Sequence, residues 1–144
     1  MPGRALNATL YLPLLPATVI TAAVAAGLGP VFTDLQAMGS LVVQAKLAYG
    51  SGGATMNVYI QTSLDKGATW IDIMNFSLTT ASAIRLSSVR AIGASATNLT
   101  PGDGVLTANT TVDGILGERL RAKYITTGTY GTNSTLTVTA VSKA

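Results

Sequence analysis

The feature that most constrains the fold is a polar turn at residues 63–70, flanked on both sides by extended segments. Before the turn, Met56, Val58 and Ile60 occupy alternate positions, which is the period-2 pattern of a strand with one face in a core. A second extended segment follows at residues 70–74. Two such segments joined by a glycine-containing turn predict a β-hairpin.

The turn has the residue types that a tight connection requires. Asp65 can accept hydrogen bonds from backbone N–H groups further along the chain, and Gly67 can adopt a positive φ without steric cost. Thr69 is β-branched and restarts the extended chain, and Trp70 can cover the turn from the side. The predicted structural turn residues are Ser63, Asp65, Gly67, Thr69 and Trp70.

Strand-length segments separated by turns continue along the chain. Residues 41–49 are predicted as a strand, residues 83–92 as a strand or a strand and a bend, and residues 105–112 as an extended segment. Residues 43–60 and 120–140 form a weak repeat of strand, loop and strand, interpreted as two hairpins, although any antiparallel all-β chain shows this pattern. The prediction is an all-β protein, an antiparallel β-sandwich of jelly-roll-like type.

The sequence divides into an extended N-terminal arm, residues 1–16, and a β-sandwich domain, residues 17–144. The apolar run at residues 10–28 also suggests a signal peptide or a membrane span, but its prolines and threonines favour an uncleaved arm leading into a strand. We expect such an apolar arm to contact a neighbouring chain. The candidate contact residues are Leu10, Tyr11, Leu12, Leu14 and Leu15.

The composition limits the classes of function. Charged residues are only 10% of the chain, against about 25% in typical soluble domains, so we expect other chains to cover part of the surface. A homo-oligomer is therefore predicted. The absence of Cys and His excludes disulfide scaffolds, thiolate zinc sites and Cys- or His-based triads. The net charge of +3 is small, so neither a nucleic-acid partner nor a membrane partner is predicted.

Few groups are available for catalysis, because the chain has only six carboxylates. Asp65 is assigned to the turn, and no second acid or substrate-orienting group accompanies Asp72, so no glycosidase-type pair is predicted. Asp103 and Asp113 lie in separate Asp-Gly turns, which match the oxygen-rich ligand set of calcium poorly. The sequence therefore predicts no catalytic residue, no metal site and no cofactor.

Basic residues recur at every second position in one predicted strand. Arg119, Arg121 and Lys123 would line one face of it. That face is either an ordinary solvated surface or a cationic stripe that meets an acidic partner, and the sequence supports both interpretations equally.

Two resemblances add to these observations. Residues 63–70 fit the pattern Ser-x-Asp-x-Gly-x-Thr-Trp, which resembles the Asp-box, a hairpin motif of sialidases and other β-rich proteins. In those families the motif shapes a turn away from the active site, so the resemblance implies a structural role. The order of segments over residues 41–76 and 113–141 resembles small virion structural proteins of tailed bacteriophages, several of which decorate capsids as cement proteins.

The second resemblance implies a non-enzymatic capsid decoration protein on the outer surface of the virion. Such a protein would bind the major capsid protein, with a trimer favoured, and would stabilise the shell. One alternative is a carbohydrate-binding adhesion module, for which Tyr59 and Tyr130 would have to form the sugar platform. Another is a different assembly component, such as a tail, collar or fibre protein.

Overall fold

A computed structural model describes residues 9–35, 38–93 and 98–143, and all regular secondary structure within those ranges is β-strand. The strands are β1 (Thr9–Val19), β2 (Gly27–Leu28), β3 (Ser40–Ala48), β4 (Ser51–Gly52), β5 (Thr55–Ser63), β6 (Ile71–Leu78), β7 (Ala83–Arg90), β8 (Arg119–Thr127), β9 (Tyr130–Gly131) and β10 (Thr135–Lys143). This part of the chain contains no helix long and apolar enough to span a bilayer. The predicted all-β class is confirmed.

Two four-stranded antiparallel sheets pack against each other, which confirms the predicted β-sandwich. The first sheet has the strand order β1-β10-β3-β7, and the second has the order β2-β8-β5-β6. The alternating residues of β3, such as Leu41 and Val43, meet Met56, Val58 and Ile60 of β5 in one core, and all five are fully buried. Burying each large aliphatic side chain contributes about 1.5–3 kcal/mol, so this shared core holds the two sheets together.

The two units of the predicted repeat have equivalent positions in the fold, but neither is a hairpin. β3 lies in the first sheet and β5 in the second, while β8 lies in the second and β10 in the first. Each unit is therefore an arch that crosses between the sheets. β3 pairs with β10, β5 with β8, and the short strands β4 and β9 join the two crossings. The hairpin interpretation was wrong because a period of two marks the buried face of a strand and not the sheet that it joins.

The sandwich begins earlier in the chain than predicted. β1 pairs with β10, so residues 9–16 form an edge strand and not an extended arm. Register shifts interrupt this pairing around Pro13 and Pro16, where an edge strand tolerates residues that lack a backbone donor. The rest of the predicted arm, residues 1–8, lies outside the described residues.

The burial of β1 corrects part of the predicted contact surface. Leu12, Leu14 and Leu15 are buried in the core of their own domain, so they cannot contact a neighbouring chain while the sandwich is folded. Leu10 and Tyr11 are 49% and 61% exposed and remain accessible. The large apolar area of this segment is thus mainly internal packing.

A long connection between β7 and β8 covers the outer face of the second sheet. Its residues 105–112 are mostly loop, not the extended segment that was predicted. Only a short part pairs along the edge of β6, where Asn75 N donates to Thr110 O (3.0 Å) and Val112 N donates to Ile73 O (2.8 Å). We call residues 98–118 the covering loop. Because it covers β6, polar residues on that strand are buried as well as apolar ones.

Candidate functional site

The hairpin turn between β5 and β6 is held by side-chain hydrogen bonds to its backbone. Gly67 N donates to Ser63 Oγ (2.8 Å), Ser63 Oγ donates to Asp65 Oδ1 (2.9 Å), and Thr69 N donates to the same Asp65 atom (2.7 Å). The backbone N–H of Thr69 is the main cause that lowers the pKa of Asp65. Gly67 has a φ of 91°, a conformation that side-chain-bearing residues rarely adopt.

Trp70 connects this turn to the neighbouring strand β8. The guanidinium carbon of Arg121 lies 4.3 Å from the centroid of the Trp70 ring, which is a cation–π contact. Arg121 Nε also donates to Gln61 Oε1 at 2.7 Å, so the guanidinium group is fixed from two sides. Trp70 is half-buried under this arginine and is not a free aromatic surface.

A buried carboxylate, Asp72, anchors the covering loop. Asp72 is only 4% exposed, and it accepts hydrogen bonds from the backbone N–H groups of three consecutive loop residues. The donors are Gly104 (2.9 Å), Val105 (2.8 Å) and Leu106 (3.1 Å). Gln61 Nε2 donates a fourth bond at 2.8 Å. Four donors satisfy the acceptor capacity of a buried carboxylate, so this group stabilises the loop instead of standing free.

A second carboxylate, Asp103, closes the same network from the loop side. Asp103 Oδ1 accepts hydrogen bonds from Gln61 Nε2 (2.6 Å) and Lys123 Nζ (2.9 Å), and its Oδ2 lies 3.7 Å from Arg121. Burial alone would raise the pKa of Asp103, but the hydrogen bonds and the positive charges of Lys123 and Arg121 outweigh it and lower the pKa. We call Gln61, Asp72, Asp103, Arg121 and Lys123 the loop anchor.

The loop anchor decides between the two interpretations of the basic stripe on β8. The side chains of Arg121 and Lys123 are 12% and 15% exposed and are ion-paired with a carboxylate of their own chain. Arg119 is 28% exposed and is bridged by Glu118. Arg121 and Lys123 are therefore not part of a free cationic stripe, because Asp103 of the covering loop neutralises them, whereas Arg119 stays partly exposed beside Glu118.

The sequence contained a signal for the loop anchor that the prediction did not use. Gln61 and Asp72 lie on the polar side of two strands that were both predicted correctly, and they are direct cross-strand partners. Two polar residues facing each other on adjacent strands indicate a polar contact above the sheet. Asp103, more than thirty positions away in sequence, could not be added without the path of the loop.

The predicted sugar platform is not present at the residues named for it. Tyr59 is 6% exposed and Tyr130 is fully buried. The hydroxyl of Tyr130 donates to Thr79 O (2.8 Å), and its ring packs edge-on against Tyr49 with centroids 6.2 Å apart. Both tyrosines stabilise the interior, so they cannot stack on a carbohydrate ring.

The outer face of the first sheet carries several exposed apolar residues. Val141 of β10 lies between Tyr11 of β1 and Val42 of β3 and is the cross-strand partner of both. Lys46 of β3 is the cross-strand partner of Ile84 of β7. Val42, Ile84 and Leu86 are 43%, 58% and 67% exposed. We call Tyr11, Val42, Lys46, Ile84 and Leu86 the outer face.

The charges of the first sheet are of one sign. Its four strands contain the basic residues Lys46, Arg85, Arg90 and Lys143 and no acidic residue. Arg90 is neutralised by Asp113 of the covering loop, with Nη2 to Oδ2 at 2.7 Å. The other three are not in an ion pair with any described residue. Arg85 pairs with the buried Ala45 and therefore has the opposite parity to Ile84 and Leu86. The cations on the outer side without an ion pair among the described residues are thus Lys46 and Lys143, beside exposed apolar side chains.

No protein-family model matches the chain, and no curated protein matches it either. Within residues 9–35, 38–93 and 98–143, no three His, Cys, Asp or Glu side chains lie close enough together to hold a metal ion.

Proposed function

We propose that this chain is a non-enzymatic virion structural protein that decorates the capsid by binding the major capsid protein. The observation that supports the proposal best is the outer face of the first sheet. It combines exposed apolar side chains with Lys46 and Lys143, and the strands of this sheet contain no acidic residue. Exposed apolar patches mark protein-interaction sites, and charges of one sign favour a partner of the opposite sign.

The same surface argues for a partner different from itself. Two copies meeting through identical faces would place cationic strands against each other, since a two-fold interface repeats the same patch on both sides. An acidic protein surface has the complementary charge. In the predicted trimer, the subunits would therefore meet through other surfaces and would all present the outer face to the shell.

A charge reversal on the outer face tests the proposal. Lys46 is exposed and near the centre of the outer face, so Lys46→Glu should weaken co-sedimentation with shells of the major capsid protein. We expect a loss of about threefold to tenfold, because an exposed charge pair is worth about 0.2–1 kcal/mol and a reversal also adds repulsion. Wild-type binding should weaken as salt is added, since exposed charges are screened.

The matched control makes the same charge change away from this face. Lys66 is exposed in the hairpin turn of the second sheet, so Lys66→Glu should bind shells like the wild type. Equal losses for Lys46→Glu and Lys66→Glu would indicate a general charge effect and would contradict a contact through the outer face. Shell binding that is absent for the wild type would reject the proposed function itself.

A further inference from the structure

Three of the four lateral edges of the sandwich are blocked against further strand pairing. β1 contains Pro13 and Pro16 and two register shifts, and β2 is only two residues long. The edge of β6 is covered by the backbone of residues 110–112. Prolines, irregular pairing, short strands and covering loops are the means by which proteins protect exposed sheet edges from other chains.

The fourth edge, β7, is covered only in part, because the covering loop contacts it through side chains, at Ser87 from Thr111 and at Arg90 from Asp113. It is eight residues long, contains no proline and pairs with β3 without a register shift. Its exposed apolar residues Ile84 and Leu86 alternate along the strand and belong to the outer face. Such a strand presents a regular row of backbone groups to which another strand can bond.

The register shows which backbone groups of β7 face outward. Ala91 N donates to Gly39 O (2.8 Å), so every second residue preceding Ala91 bonds to β3. The residues between them, Ile84, Leu86 and Ser88, direct their N–H and C=O groups away from β3. Arg90 follows the same pattern, and its outward N–H is already bonded to Asp113 Oδ1 (2.7 Å). The N–H groups of the other three have no acceptor among the described residues.

A groove of about 340 Å³ lies beside this edge, between β7, β6 and the covering loop. Asn75 and Phe76 of β6 line one side, and Ile84 and Leu86 line the other. Asn109 and Thr111 of the covering loop close the groove on its remaining side.

The charge of the edge specifies the chemistry of the strand that would bind. Arg85 lines the groove, is exposed and makes no ion pair within the described part of the chain. No acidic residue lies on β7 or on its neighbour β3. An extended segment with alternating apolar residues and an acidic side chain opposite Arg85 complements this edge in backbone bonding and in charge.

We propose that β7 is a docking edge that accepts an extended, acidic segment of another polypeptide as a fifth strand of the first sheet. The N-terminal segment of a second copy fits less well, since the only charged residue among residues 1–8 is Arg4. The inference goes beyond the proposed function, because it concerns a backbone edge that would act in the same way in any assembly.

Binding of a synthetic peptide to the full chain tests the proposal. The probe is a short peptide of alternating valine and threonine with one glutamate placed to face Arg85, and its control carries lysine in place of the glutamate. We expect the glutamate peptide to bind about fivefold more tightly, the effect of reversing one exposed charge pair. Arg85→Glu should reverse the preference. In the bound state, the amide protons of Ile84, Leu86 and Ser88 should become protected from exchange.

A proline on the free edge separates backbone pairing from side-chain contact. Leu86→Pro removes an N–H that does not bond to β3, so the sheet should remain folded, whereas peptide binding should be lost. Leu86→Ala keeps the N–H and should retain most of the binding. If Leu86→Pro does not fold, Ser88→Pro should lose peptide binding for the same reason. The exchange measurement on the wild type also tests backbone pairing and needs no variant.

Several outcomes would overturn the proposal. It is wrong if the proline variant binds the peptide as well as Leu86→Ala does, or if protection appears away from β7. It is also wrong if Arg85→Glu leaves the preference unchanged, or if a peptide of residues 1–12 binds more tightly than the acidic probe. Preferential binding of anionic vesicles through this edge, with no peptide binding, would likewise reject it.

Discussion

Gln61 and Asp72 face each other across β5 and β6, with Gln61 Nε2 2.8 Å from Asp72 Oδ1. Gln61 Nε2 also lies 2.6 Å from Asp103 Oδ1, so this amide joins the strand carboxylate to the loop carboxylate. The contact explains how the charge of Asp72 can be buried at 4% exposure. Asp72, Asp103, Arg121 and Lys123 form one network through Gln61, and this network holds the covering loop on the second sheet.

Removing the carboxylate of Asp72 should detach the covering loop. Asp72→Ala leaves three backbone N–H groups and Gln61 without their acceptor, and we expect a loss of about 3 kcal/mol or more in the free energy of unfolding. Asp72→Asn keeps one acceptor oxygen and should lose less. Urea denaturation measures both variants, with Asp34→Asn at an exposed carboxylate as the control. A stability for Asp72→Ala equal to that of the control would contradict the anchor.

The hairpin turn should reject a β-branched residue at Gly67. Its φ of 91° is unfavourable for valine, and a Cβ there would lie 3.3 Å from Arg119 Nη1. Gly67→Val should cost about 1–3 kcal/mol, while Ala68→Val, on the exposed neighbour, should cost much less. Thermal melts compare the two variants, and similar melting temperatures would mean that the turn does not depend on this glycine.

Acid should destabilise the fold partly through Asp103. Its pKa is lower in the folded state than the ordinary value of about 3.9. A depressed pKa stabilises the fold fully above the unfolded-state pKa, and this contribution is lost as the pH falls through the folded-state pKa. Asp103→Asn should therefore melt at a lower temperature than the wild type at pH 7, and the difference should shrink toward pH 2. If the difference in melting temperature between Asp103→Asn and the wild type were the same from pH 7 to pH 2, the ion pairs with Lys123 and Arg121 would add no stability.

Single substitutions can distinguish the buried residues of β1 from its exposed residues. Leu14 is fully buried, so Leu14→Ala should lose about 2–5 kcal/mol. Leu10 is 49% exposed, so Leu10→Ala should change the unfolding free energy by no more than about 0.5 kcal/mol. Chemical denaturation of the purified variants provides the comparison. If both variants kept wild-type stability, residues 9–16 would be an arm after all.

The local pattern of the sequence predicted the strands better than it predicted their partners. The alternation in β3 and β5 and the turn at Gly67 depend on neighbouring residues, so they could be predicted from sequence. The crossing of each repeat unit between sheets could not, since period 2 contains no information on pairing over long distances. Prolines at 13 and 16 suggested an arm, yet an edge strand with irregular register accommodates them.

The loop anchor illustrates the same limit at the level of side chains. The spacing of Arg121 and Lys123 placed them correctly on one face of β8, but only the path of the covering loop shows that Asp103 neutralises them. The exposure of a side chain depends on the whole fold, whereas the period of the sequence shows only which residues share a face of one strand. For this reason the sequence indicated β8 as an interaction surface, whereas the structure favours the outer face of the first sheet.

An electron-microscopy reconstruction of purified virus particles, produced where this chain is expressed, tests the central claim most directly. The proposed function predicts density for the sandwich on the outer shell, with Tyr11, Val42 and Lys46 of the outer face against the major capsid protein. Acidic residues of the shell should lie near Lys46. Particles without this chain, a location away from the shell, or a sandwich whose first sheet faces solvent would contradict the account.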